Sequence, residues 1–473
     1  MTKEEKKNVV LIGIDALRAD FLGCYGYEKE TSPNIDNLLK KGVIFENAFS
    51  CSNATDPSFT TIFSGKYPIS HGIRNHGAKV TNSMLQNFYK REIRYLSEIL
   101  RDNGYKTFGI DWLDRWHKKG FDYYLEDYMV KKQLIKILSK IVNRFPDILS
   151  KKARKAYDTF SSGPIIITAT KLTDKSLELI NNCDKPFFLF IHYWDTHTPY
   201  NAPKRIYENF KPEKDGQELE KLIGNIRDER SKNSLLRSVS AEKGTTAEEV
   251  IARYVSSIKY VDQEIGRLVK HFKKQGIYED TIFVITSDHG ESLIEHGIFF
   301  DHHGLYDESI HIPLIFNNLP VEGKRIRGFV QHVDIVPTLL DILKIPFKES
   351  EFDGVSLVPL IRGEVNSLRS FIVAEESLYE NKIAIRTNKW KYIYSPSKED
   401  ATCRFCGVIH GGIEELYHLE SDPKEMRNII EERPEIAEIL RKSLFSWLSN
   451  LKRKEEKRLI SQKISKLKMN RRI

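Results

Sequence analysis

The chain has 473 residues, 40% hydrophobic and 30% charged, a globular balance that excludes wholesale disorder. It is long enough for one large domain plus a smaller one, and no apolar run reaches the 18 or more residues of a spanning helix. The net charge of +8 lies in the last segment, where residues 451–473 carry ten Lys or Arg against Glu455 and Glu456. The body is therefore near neutral, with no specific nucleic-acid signal.

Residues 1–8 are charged and contain no apolar leader, and the five cysteines are sparse and odd in number; both point to a cytoplasmic chain without a disulfide framework. The basic tail reads as a solvated helix end, or as a patch for peripheral contact with an anionic membrane surface. The first predicted strand, Asn8 to Ile14, is apolar throughout and ends in Asp15. Next, Thr55-Asp56-Pro57 opens a predicted helix that runs toward Gly65, a helix-start pattern. A hydroxyl in that place meets positive potential and backbone donors. A bound cation would lower its pKa further and make it a nucleophile.

A second strand, Phe187 to Trp194, ends in Asp195, with His197 two residues on. A third, Thr281 to Ser287, ends in Asp288-His289, and Asp301-His302-His303 follows. Strands apolar on both faces belong to a parallel sheet. Between them, the spacing of Val255, Ile258, Val261, Ile265, Leu268, Val269 and Phe272 predicts a long amphipathic helix ending near Gly276. This alternation predicts an α/β fold with a mainly parallel central sheet flanked by helices. Ligands of such sheets bind beyond the carboxyl ends of the strands, where Asp15, Asp195 and Asp288 would converge with the histidines.

The predicted boundaries are a catalytic α/β domain over 1–381, with helical insertions near 128–156 and 204–246, a small C-terminal α+β subdomain over 382–450, and a basic helical tail over 451–473. Oxygen and imidazole donors together suit one or two divalent metal ions, zinc or manganese ahead of calcium or magnesium. Cys403-x-x-Cys406 with His410 is a partial zinc pattern lacking a fourth ligand, for which a plain loop is the simpler reading. Lys66 and Asn75 are weaker candidates for substrate contact, and Cys24 reads as packing.

Several long segments resemble the sulfatase family of the alkaline phosphatase superfamily: "IGIDALRADFLGCYGYEKETSPNIDNLLKKGVIFENAFS", "TDPSFTTIFSGKYPISHGI", "SDHGESLIEHG", "HHGLYDESIHIPLIF", "AIRTNKWKYIY" and "ELYHLESDPKEMRNI". The resemblance covers nearly the whole chain. It implies that Asp15, Thr55, Asp288 and His289 bind one metal ion. Asp195, His197 and His302 or His303 would bind a second or contact the substrate oxyanion. Thr55, His197, His302 and His303 would be the catalytic set.

The departures from the family pattern are specific. Thr55 replaces the Cys or Ser that becomes formylglycine, Phe59 replaces an Arg, Ala16 follows Asp15 where a second Asp is common, Gly109-Ile110-Asp111-Trp112 replaces a Lys-bearing segment, and His302 replaces a Lys. A threonine cannot become the aldehyde. The expected activity is metal-dependent hydrolysis of a sulfate or phosphate ester through a covalent Thr55 adduct, on a small-molecule, glycan or lipid-headgroup ester. Two alternatives stand beside it: a phosphoethanolamine- or phosphoglycerol-type transferase, and a non-catalytic binding protein on a sulfatase scaffold.

Overall fold

The computed structural model describes residues 6–125, 168–183, 186–213, 216–226, 228–321 and 323–470. The insertion expected near 128–156 lies outside these residues. The strands in chain order are β1 (Asn8–Ile14), β2 (Gly42–Phe45), β3 (Ala48–Phe49), β4 (Lys106–Ile110), β5 (Tyr123–Tyr124), β6 (Phe187–Tyr193), β7 (Thr281–Thr286), β8 (Leu314–Asn317), β9 (Lys324–Ile326), β10 (Val330–Gln331), β11 (Ile372–Glu376), β12 (Lys382–Arg386), β13 (Trp390–Tyr394) and β14 (Glu414–His418). Five helices matter below: α1 (Thr55–Ser64), α2 (Ala169–Asn181), α3 (Glu229–Ser238), α4 (Ala247–Lys274) and α5 (Pro434–Asn470).

The main sheet runs β5-β4-β6-β1-β7-β8-β2-β9. The three strands expected from sequence sit together at its centre, β6 and β7 both parallel to β1. Only β8 pairs antiparallel with its neighbours. The central strands are buried along their whole length, because apolar layers cover both faces. One layer packs Val10, Ile12 and Leu189 against α4 residues such as Val261 and Leu268. The other packs Val9, Leu11, Phe188 and Phe190 against Phe59, Ile62 and Phe63 of α1. Side-chain alternation along a strand decides which layer each residue joins.

Helix α1 is buried at every position, although it is rich in hydroxyls. Thr60, Thr61 and Ser64 each donate to the carbonyl four residues earlier, which satisfies them without a distant partner. Helix α4 begins with a reciprocal cap between Thr246 and Glu249, worth about 1 kcal/mol.

The second sheet, β11-β12-β13-β14, is antiparallel throughout. It starts at Ile372, ahead of the expected boundary at 382, because β11 pairs with β12. Helix α5 covers it through Ala437, Leu440 and Leu444. The same helix then crosses to the main domain. Leu451 packs with Cys51, Tyr67 and Val333, Lys454 donates to the carbonyl of Phe352, and Glu455 pairs with Arg91 and Arg458. The beginning of the basic tail is thus docked rather than solvated. Among the described residues, no helix is long and apolar enough to cross a membrane.

Candidate active site

Parity along the central strands selects the residues that meet at the rim. Gly13 pairs with His192 on one side and Thr286 on the other. Gly13 faces Phe59 of α1, and two residues beyond Gly13 on β1 and beyond Thr286 on β7, Asp15 and Asp288 therefore emerge on that same face. One oxygen of Asp15, one oxygen of Asp288 and a ring nitrogen of His289 lie within 4.8 Å of one another. His289 Nε2 is 3.3 Å from Asp288 Oδ2 and 3.8 Å from Asp15 Oδ1. Thr55, in the first turn of α1, places its Oγ1 3.3 Å from the same His289 nitrogen. The other nitrogen, Nδ1, donates to the carbonyl of Gly290 at 2.8 Å, so Nε2 is the one presented to the cluster.

Both oxygens of Asp15 and Oδ2 of Asp288 are buried without a hydrogen-bond partner. Carboxylates left in that state call for a cation. Burial, reinforced by repulsion from Asp15, pushes Asp288 up to about 7. Burial alone would also raise Asp15, but His192 and the neighbouring histidines hold it well below the usual carboxylate range. Burial pushes His289 down to about 4, leaving it a neutral donor. Two carboxylates, one neutral imidazole and one hydroxyl fit a divalent metal ion.

The family model described as Sulfatase matches residues 7–345, and that of the N-sulphoglucosamine sulphohydrolase C-terminal region matches 294–454. The chain belongs to the sulfatase family. This sulfatase-family chain is thereby an ester hydrolase of that metal-dependent superfamily. It is 27% identical to an arylsulfatase of Clostridium perfringens over 94% of each chain. It is 24% identical to a choline-sulfatase of Rhizobium meliloti over 90% of this chain and 83% of that one. Its fold is shared with the phosphonate monoester hydrolase from Silicibacter pomeroyi at a TM-score of 0.68, with 21% identity over 95% and 96% of the two chains.

The remaining expected residues divide. His197 and His302 join the site: the His302 ring lies 4.1 Å from that of His289 and 6.2 Å from that of His197. His302 donates from Nδ1 to the carbonyl of Asn53, and His197 from Nδ1 to that of Thr198 at 2.9 Å. Burial, with His289 beside it, holds His302 well below the usual histidine range. Both histidines line a cavity of about 160 Å³ whose other walls include Ser234 and Ser238 of α3, Phe299, Tyr379 and Phe405. The insertion over 204–246 thus roofs the rim, and the C-terminal subdomain supplies one side.

Asp195 does not join the cluster. It has the parity of Tyr193, so its carboxyl turns to the opposite face, beside the Ala169 amide and toward Glu264, and burial pushes it up to about 7. His303 does not join either. His302 turns to His289, whereas His303 turns to Cys403, Cys406 and His410. Lys66 is buried near Asp353 and Arg458 at the far end of α1, away from Thr55.

Sequence reasoning missed His192. It sits in β6 with Nδ1 2.8 Å from Asp111 Oδ1 and Nε2 3.3 Å from Asp15 Oδ2, the latter a charge contact without hydrogen-bond alignment. Burial opposes its charge, but these two carboxylates push it up to about 10. Phe59 covers the same ring at 4.4 Å between centroids. Phe59 and Asp111 therefore meet at the buried His192 ring beside Asp15. Asp56 was also missed: it accepts from the amide of Gly77 at 2.7 Å and pairs with His117 and His76, fixing the chain next to Thr55. The usable signal was even parity with Phe188 and Phe190 for His192; for Asp56 there was none.

Proposed function

We propose that the protein hydrolyses a sulfate- or phosphate-class ester by direct attack of Thr55, with phosphorus esters ahead of sulfate. The observation that carries this reading is the Thr55 hydroxyl, set 3.3 Å from His289 beside partnerless buried carboxylates. A divalent cation held by Asp15, Asp288 and His289 would supply Lewis-acid stabilisation of negative charge on the hydroxyl and on the ester. Thr55 Oγ1, its proton released to solvent as the cation would bind, forms a bond to phosphorus or sulfur as the bond to the alcohol oxygen breaks. His197, on the cavity side, is placed to give the leaving oxygen its proton. Water then attacks the adduct at phosphorus or sulfur, since a threonine ester has no aldehyde to collapse to, and the bond to Thr55 Oγ1 breaks, the hydroxyl regaining its proton from solvent. His302 is kept neutral by burial and has its Nδ1 proton committed to Asn53. Its Nε2 is therefore free to take a proton from that water.

The cavity mixes serine hydroxyls with aromatic faces, which suits a sugar- or headgroup-sized alcohol. Relatives described as an N-acetylglucosamine-6-O-sulfatase and a choline-sulfatase are of both kinds. A cytoplasmic location belongs to the same reading and is checked by fractionating cells.

The decisive experiment assays aryl sulfate, phosphate monoester, phosphodiester and phosphonate ester, alongside bound metal, for wild type and Thr55→Ala. Loss of the nucleophile should lower kcat by about 10⁴-fold or more with metal retained. An unchanged kcat in Thr55→Ala, or wild type free of divalent metal, overturns the reading.

A further inference from the structure

We propose that His303, Cys403, Cys406 and His410 form a structural zinc site, distinct from the catalytic cluster, that clamps the C-terminal subdomain to the segment carrying His302. The four side chains are all buried, at 2%, 1%, 5% and 4% exposure, and their donor atoms lie within 4.8 Å of one another. Two thiols and two imidazoles are the donor set of closed tetrahedral zinc sites. No substrate-facing role competes for them: His303 turns away from His289, the position expected of it from sequence.

The surroundings fit zinc more closely than chance packing would. His410 turns Nε2 to Cys406 Sγ at 3.1 Å and Nδ1 to the carbonyl of His296, also at 3.1 Å. His303 turns Nδ1 toward Asp301 Oδ1, 3.7 Å away. The carbonyl of His296 fixes the His410 ring and points its other nitrogen inward, while Asp301 stands behind His303 as a charge contact without a hydrogen bond. The Phe405 amide donates to Cys403 Sγ at 3.4 Å. Gly407, at φ +72°, lets the chain turn so that its amide reaches the carbonyl of Cys403 at 2.8 Å. The soft sulfur donors select zinc over the harder cations that suit the rim. Binding would release the thiol protons to solvent and leave zinc holding both thiolates.

The fourth ligand was invisible in sequence because it lies a hundred residues upstream of the Cys pair. Its neighbour gives the site a purpose. With His303 tethered, the segment Asp301–His303 is held from behind while His302 faces His289. Through Ser231, which donates to the Phe405 carbonyl at 2.6 Å, the same loop also meets α3, which roofs the cavity.

The test uses the purified full chain loaded with zinc. A mercurial thiol reagent should release about one equivalent of zinc, measured with a chromogenic chelator. The Asp15→Asn/Asp288→Asn variant should still release it, and Cys403→Ser/Cys406→Ser should not. Cobalt-loaded wild type should show a thiolate-to-cobalt charge-transfer band with strong tetrahedral absorption, which decides the question even if the serine variant fails to fold. No charge-transfer band, or rapid alkylation of Cys403 and Cys406 in zinc-loaded native protein, would overturn the site. These readouts are independent of hydrolytic activity, so the Thr55 mechanism can fail while the zinc site stands.

Discussion

Strand β1, which delivers Asp15, and helix α1, which delivers Thr55, approach most tightly where Gly13 meets Phe59, and a double-mutant cycle measures that contact. A Cβ on Gly13 would lie 2.7 and 2.9 Å from ring carbons of Phe59. The ring cannot retreat, because Phe190 and His192 stand at 5.5 and 4.4 Å and Phe63 stacks behind it at 6.1 Å. Gly13→Ala alone should therefore destabilise by about 1–3 kcal/mol through overpacking. Phe59→Ala alone should cost about 3–5 kcal/mol, since the ring is fully buried. In the double variant the new methyl enters vacated space, and the smaller flexibility of alanine in the unfolded chain makes it neutral or stabilising by up to about 1 kcal/mol. The coupling energy should then reach about 2 kcal/mol in favour of the double variant. Urea unfolding followed by tryptophan fluorescence gives all four corners of the cycle. Additivity within about 0.5 kcal/mol would refute the coupling.

Two further outcomes are expected. His302→Ala should lower kcat by about 10²–10⁴-fold while leaving divalent-cation binding at Asp15, Asp288 and His289 intact; steady-state kinetics and metal analysis test this, and an unchanged kcat excludes His302 as the base. Glu295 is raised by burial but lowered more by Arg18, falling from the ordinary 4.5 to about 2. A depressed carboxylate contributes stability that is present above its unfolded pKa and lost as pH falls through the folded one. Thermal melts of Arg18→Met should therefore lose less stability than wild type between pH about 4.5 and about 2, and parallel slopes would contradict the pairing.

The central sheet was legible because three buried strands each end in a carboxylate, and two of the three carboxylates do meet. Asp195 failed on parity alone. A sequence run shows where a strand ends but not which face its next side chain takes after the turn, and the register with β1 that settles it is a long-range fact. His192 hid for the converse reason, since a histidine inside an apolar run reads as core until Asp111 and Asp15 are seen on either side of it. His303 was misplaced because neighbouring histidines look equivalent on paper, whereas the fold turns one to His289 and the other to the Cys403–Cys406 loop. Thr55, His289, His197 and His302 were accessible because short motifs carry them. The early start of the second sheet, at Ile372, depended on pairing with β12, which no local pattern announces.

The docking of α5 has a consequence for the order of assembly. Tyr67, just past the end of α1, meets Trp447 edge-on at 4.9 Å, and Arg91 reaches Glu455 across 364 residues of sequence. Contacts of that span form slowly, because a long loop must close before they are rewarded. The segment bearing Thr55 leaves the ribosome early and waits, its apolar flank uncovered, until the helix over residues 434–470 has been made. The surface formed by Cys51, Tyr67 and Val333 is thus made long before the helix that covers it.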